Sequence, residues 1–251
     1  MLRARSYLAD GAIGEDQLAS DGRFIMPGEE NSWHFVLTAG GDDVIACVRY
    51  SVHDPATVRF EDLRIARVLQ FLNVAHARQL KIAIETDLRL ARQGGFQYAE
   101  LGGWAIAEQY RGTKLALQTL LASYAWGGVL ARSCIGSCMA TTRHGSASML
   151  RRVGGRPVET VEGIVPPYWD PRYRCDIEVL RFDSRVVDRR YEPVIAELQA
   201  ELQCRPAIYA GHALELEFQS SLLALSAAVN AGHGLVPKPA ESGETITMAK
   251  G

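Results

Sequence analysis

The sequence predicts a mixed α/β (α+β) chain: a central, mostly antiparallel sheet flanked by helices, with a helical insertion after the first hairpin and a helical C-terminal extension. Three observations carry this. Trp33–Thr38 and Val44–Tyr50 are strand-like runs separated by Ala-Gly-Gly-Asp-Asp, a composition that joins neighbouring strands as a hairpin. Phe60–Arg92 repeats apolar residues at helical spacing, through Leu63, Val68, Leu69, Leu72, Ala75 and Ala83. Tyr98–Leu130 then reads as an extended apolar run, a basic glycine turn and an amphipathic helix. The strands follow hairpins rather than repeated βαβ units, and no G-x-G-x-x-G follows a strand, which argues against a doubly wound dinucleotide enzyme.

In chain order, residues 1–32 form an N-terminal segment, glycine- and aspartate-rich, with one short helix expected around Glu15–Ser20. In the hairpin, His34 and Arg49 alternate with apolar neighbours and point off the strand face. Phe60–Arg92 is too long for an ordinary helix, so two helices or a kink near Asn73–Arg78 are expected. Tyr98–Ala107 is the next strand, and Gly102-Gly103 inside it marks a weakened ladder or a bulge. Ser133–Thr142 is a buried strand, Ala147–Val153 a short helix closed by Gly154-Gly155, and Cys175–Phe182 a last strand. Residues 191–230 make the helical extension, with Pro193 in the first turn of Tyr191–Leu202 and a second helix at Ala213–Asn230. That second helix reads as packing onto the domain, as a homodimer contact, or as a lid. Residues 231–251 carry no periodicity and read as a mobile tail.

Composition narrows the function classes. A chain of 251 residues with a formal net charge of −2 does not suit general nucleic-acid binding. Five cysteines are an odd number set mostly in apolar runs, which fits free thiols in a reducing cytoplasm. No second Cys/His pair completes a zinc site with Cys134 and Cys138, so no metal is expected. No stretch is long and apolar enough for a transmembrane segment, and the first residues lack a signal-peptide core.

The chemistry-bearing stretch is Glu100-Leu101-Gly102-Gly103-Trp104 with the loop Glu108–Lys114. A glycine turn opening a helix suits an anion at the positive end of the helix dipole, with Arg111 and Lys114 adding charge; it is equally what any strand–turn–helix shows. Here the sequence resembles the GNAT N-acetyltransferase superfamily, over about residues 33–183. Gln109 and Gly112 match its Gln/Arg-x-x-Gly-x-Gly/Ala loop, and Lys114 stands where the last small residue is expected. The helical insertion and Glu100–Trp104 resemble the branch of long-chain N-acyl amino acid synthases and acyl-homoserine-lactone synthases. Gly102 and Gly103 replace the Ser and Arg of the lactone-synthase signature.

The resemblance implies an acyltransferase domain over residues 33–190. It would move an acyl group from a thioester to the amine of an amino acid or similar small molecule, by direct attack in a ternary complex. Glu100 would be the catalytic base, or else a carboxylate at the solvent-facing start of the strand. Trp104, Ala105, Ile106, Gln109, Tyr110, Arg111, Gly112, Thr113 and Lys114 would bind the donor. No cofactor is held permanently; the donor is acyl-CoA or an acyl carrier protein with its phosphopantetheine arm. Arg111, Lys114, Arg132, Arg151 and Arg152 would rim its entrance, and Lys114 favours a single phosphate or an acidic carrier. The helix tyrosine that serves the superfamily as general acid is replaced by Leu150, leaving Tyr110, Tyr124 and Tyr168 as candidates. An acetyl-CoA-dependent N-acetyltransferase and a catalytically silent GNAT-derived binding module are the other readings.

Overall fold

The computed structural model describes residues 1–39, 43–129, 133–203, 207–209 and 244–250. Its strands are β1 (Ser32–Ala39), β2 (Asp43–His53), β3 (Gln97–Ile106), β4 (Cys134–Thr141), β5 (Arg156–Pro157), β6 (Glu159–Thr160), β7 (Gly163–Ile164), β8 (Tyr168–Asp170), β9 (Cys175–Asp183), β10 (Ala207–Tyr209) and β11 (Glu244–Lys250). Its α-helices are α1 (Leu2–Ala9), α2 (Val74–Gly94), α3 (Lys114–Val129), α4 (Ser146–Arg152) and α5 (Glu192–Gln203).

The main sheet runs in the order β10-β11-β1-β2-β3-β4-β9-β5, with β8 also on β9, and a separate ribbon pairs β6 with β7. All pairings are antiparallel except β3 with β4 and β10 with β11. The mixed, mostly antiparallel sheet expected from sequence is therefore present, and β3 and β4 are its parallel pair. α3 makes that pairing possible, because two parallel neighbours need a crossover between them.

Each face of the sheet has its own core. On one, Phe35, Val48, Leu120, Leu121 and Leu180 pack with Trp126, whose ring meets Trp33 edge-on at 4.9 Å. On the other, Phe60, Ile65, Leu80, Ile84 and Tyr98 pack with Ile177 and Val179. Burying each of these large side chains contributes roughly 2–3 kcal/mol. Asp87 of α2 takes a forked bond from Arg181 Nε of β9, at 2.8 and 2.9 Å, fixing that helix to the sheet.

Three elements differ from the sequence reading. Phe60–Arg92 is not all α-helix: Phe60–Asp62 and Arg64–Phe71 are 3₁₀ turns, and α2 starts only at Val74. The break sits at Leu72–Asn73, where the Asn73 side chain accepts from His76 N at 2.8 Å as the α2 cap. The N-terminal segment carries a helix, α1, that packs on β2 and β3, and Glu15–Gln17 is one 3₁₀ turn. Within the stretch read as a mobile tail, Glu244–Lys250 pairs along the whole of Trp33–Ala39 and lies between β1 and β10. Within the extension, α5 falls where expected; Ala213–Asn230 lies outside the described residues.

Candidate active site

β3 and β4 pair only from Gln97–Cys134 to Leu101–Cys138. Beyond that, Gly102–Ile106 keeps its partner β2 and Met139–Thr141 keeps β9, so the two strands part and the sheet opens. A cavity of about 390 Å³ fills the opening, lined by Leu101–Ile106 on one side and Cys138–Thr141 on the other. The β2–β3 register slips between Cys47 and Arg49, opposite the glycine pair, and Gly103 has φ +61°, so the anticipated bulge is there. The glycines also leave space: a Cβ on Gly102 would stand 2.8 Å from Arg49 Nη2, and one on Gly103 2.9 Å from Arg3 Nη1.

Of the residues expected to bind the donor, Trp104, Ala105, Ile106, Arg111 and Gly112 line the cavity, beside Ala116 and Leu120 of α3 and Met149 and Leu150 of α4. The Trp104 indole N–H is buried with no hydrogen-bond partner among the described residues. Gln109, Tyr110, Thr113 and Lys114 are absent from the lining. Gln109, Thr113 and Lys114 are exposed, and Tyr110 packs on the core. Thr113 stabilises the start of α3, its hydroxyl accepting from Leu115 N at 3.3 Å. Of the other basic rim residues, Arg151 pairs with Glu178 at 2.7 Å, and Arg132 lies outside the described residues.

The other end of the cavity is cationic and aromatic. Arg49 is 4% exposed and donates to Glu29 Oε1 at 2.9 Å, while Arg3 of α1 reaches the other Glu29 oxygen at 2.5 Å. Burial pushes the Glu29 carboxyl up, but the bonds from Arg3, Met26 N and Arg49 hold it below the usual range. Arg64 makes no ion pair with a carboxylate among the described residues; it donates to Pro27 O at 2.8 Å, and burial and Arg49 bring its pKa down to about 10 against the pull of Glu29 and Glu100. Arg67 lines the same end. Phe71 stacks on Tyr168, centroids 5.5 Å apart, and Asp170 holds Arg172 at 2.7 Å. Tyr168 lines the cavity, Tyr124 is spent on Val153 O at 2.9 Å, and burial pushes both hydroxyls far up.

Glu100 is 4% exposed and is not part of the cavity lining. Its oxygens accept from Ile65 N at 2.9 Å, Arg64 N at 3.1 Å and His53 Nε2 at 3.1 Å. Burial raises its pKa, and these three bonds outweigh that to leave it lowered. In this geometry the carboxylate caps the 3₁₀ stretch Arg64–Phe71, and so fixes the segment that brings Arg64 and Arg67 to the cavity.

Sequence reasoning did not find Arg3, Glu29, Arg64 or Arg67, nor a pair across the cavity mouth: His144 Nε2 lies 3.6 Å from Asp10 Oδ1, and both line the cavity. A signal for the arginines did exist. Arg49 sits in an otherwise apolar strand, and the glycine pair opposite it is the space such a side chain needs.

No protein-family model and no curated protein matches the sequence. Among solved structures, a CoA-dependent acyl-homoserine lactone synthase is similar at 12% identity, covering 89% of each chain with a TM-score of 0.49. An N-acyl amino acid synthase from uncultured soil microbes is similar at 12% identity over 73% of this chain and 82% of that one, TM-score 0.45. The Drosophila melanogaster polyamine N-acetyltransferase follows at 17% identity over 60% and 74%, TM-score 0.39. At these identities the likeness is one of fold.

Proposed function

We propose that this protein is an N-acyltransferase that joins a long-chain acyl group, carried as a thioester on coenzyme A or an acyl carrier protein, to the amine of an amino acid. The observation that carries the acceptor is the charge count around Arg49 and Arg64, which line the cavity. Arg3, Arg49 and Arg64 gather round one carboxylate, Glu29, and among the described residues the Arg64 guanidinium donates to a backbone carbonyl and a thioether. A half-buried guanidinium without a counter-ion is costly, and a carboxylate on the acceptor would supply one in bidentate geometry. An amine without a carboxylate has no use for this cluster.

The donor half of the reading rests on the opened strands and on the resemblance carried by Gln109 and Gly112. The thioester arm would lie between β3 and β4, where the backbone groups that β3 turns toward the gap have no strand to bond. Arg111 and Gly112 at the start of α3 would meet its phosphate. The amine then attacks the thioester carbonyl, the oxyanion takes hydrogen bonds from backbone N–H near Ala105 and Ile106, and the thiolate leaves. The apolar walls from Leu120, Met149 and Leu150 suit an aliphatic chain.

The test is to incubate the protein with acyl-CoAs and acyl carrier proteins of graded chain length and mixed amino acids, and to identify amides by mass. A long-chain N-acyl amino acid is the expected product. Arg64→Gln should raise the KM for the amino acid about tenfold to a hundredfold and leave donor affinity unchanged. Equal use of amines that lack a carboxylate, or product from acetyl-CoA alone, would overturn the assignment.

A further inference from the structure

We propose that His144, oriented by the Asp10 carboxylate, is the general base that takes the proton of the attacking amine. This rests on the acyltransferase reading above. The two residues come from separate elements and meet at the cavity: Asp10 is the C-cap of α1, and His144 lies in the turn between β4 and α4.

Both sides of the pair are held. α1 is tied down through Arg3, which bonds Glu29 and also Phe24 O at 2.9 Å. The His144 turn is pinned at its two ends. Thr142 N and its hydroxyl both bond Asp176 O, at 3.0 and 2.9 Å, and Ser146 Oγ bonds Thr141 O at 2.7 Å. Gly145 closes it with φ +72°.

The other ionisable groups on the cavity wall are engaged or unsuited. Asp170 is paired with Arg172. Burial pushes the hydroxyls of Tyr7, Tyr168 and Tyr173 upward, so none is a base near neutrality. Glu100 accepts three bonds and does not reach the lining. Asp10 makes no ion pair with Arg or Lys among the described residues, and its ionisable neighbour is His144. An imidazole on the wall of a substrate cavity, with a carboxylate beside it, is suited to accept a proton and hand it on. The His144 side chain is 41% exposed, which gives a path to water.

The step balances without a further reactant. The neutral amine adds to the thioester carbonyl, forming the C–N bond and a zwitterionic tetrahedral centre. One N–H bond breaks as its proton passes to the imidazole. The C–S bond then breaks, the carbonyl re-forms, and the thiolate takes the proton back from the imidazolium.

The experiment compares wild type, His144→Gln, His144→Ala, Asp10→Asn and Glu100→Gln, with amide formation and donor binding read by mass spectrometry. His144→Gln is expected to lower kcat by about 10²–10⁴-fold with donor binding kept. Asp10→Asn should lower it by about tenfold, and added imidazole should restore part of the rate of His144→Ala. A kcat for His144→Gln within about threefold of wild type overturns the proposal, as does loss of rate that imidazole never restores. If wild type binds acyl thioesters and makes amide while only Glu100→Gln is slow, the base is misassigned and the function stands. If wild type neither binds a thioester nor makes an amide, both fall.

Discussion

Glu100 shows how one residue can be conspicuous in a sequence while its partners stay hidden there. A carboxylate two residues before a glycine pair suggests chemistry, yet its oxygens are shared among two backbone N–H groups and His53. None of these partners is near it in the chain, and no strand pattern announces them. Replacing Glu100 by Gln should cost about 1–3 kcal/mol, because a charged acceptor serving buried donors is lost. It should also raise the acceptor KM by loosening the Arg64 segment. Because its folded pKa lies below the unfolded value, Glu100 stabilises the fold above the ordinary carboxylate range, and that contribution disappears as pH falls through the folded value. Melting curves between about pH 6 and pH 3 should therefore converge for wild type and Glu100→Gln as the pH is lowered. Gly103→Ala should cost about 1 kcal/mol for its left-handed backbone alone and more for the crowding of Arg3, and it should weaken acceptor binding more than donor binding.

At the scale of elements, what could be read depended on how local the cause was. The hairpin, β3, β4, α3, α4 and α5 fall where alternation, helical spacing and glycine punctuation put them. Arg64–Phe71 did not, since a 3₁₀ turn repeats its apolar residues at nearly the same spacing as an α-helix. What holds its start is a cap from Glu100, distant in sequence. The boundary at Asn73 was legible, and Asn73→Ala should lower stability by about 1 kcal/mol in thermal or urea unfolding. The pairing of Glu244–Lys250 was not legible, because a short strand is recognised by its partners, and those lie far away in the sequence. Deleting Glu244–Lys250 leaves β1 with an unpaired edge from Trp33 to Ala39. The shortened protein should melt earlier and scatter light at concentrations where the full chain stays clear.

For the whole molecule, the proposed function makes the opened β3–β4 pair a constraint on the order of chemical events. The cavity passes from the start of α3 to the arginine cluster, so donor and acceptor can occupy it together from opposite ends. A covalent acyl-enzyme would need a nucleophile on this wall, and the thiol there is Cys138. It is 4% exposed, and burial pushes its pKa far above that of a free thiol, so it is held as an unreactive thiol. Under the proposed function, direct transfer within a ternary complex is the expected route. Initial rates measured against both substrates should give intersecting reciprocal plots, with no burst of free thiol before the amino acid is added. Cys138→Ala should keep kcat/KM within about twofold, because what it removes is a small apolar surface. Parallel plots, or an acyl group found on Cys138 by peptide mapping, would instead require a two-step route through that sulfur. The parted strands would then serve to present a nucleophile, and the room they make for two substrates at once would have no role.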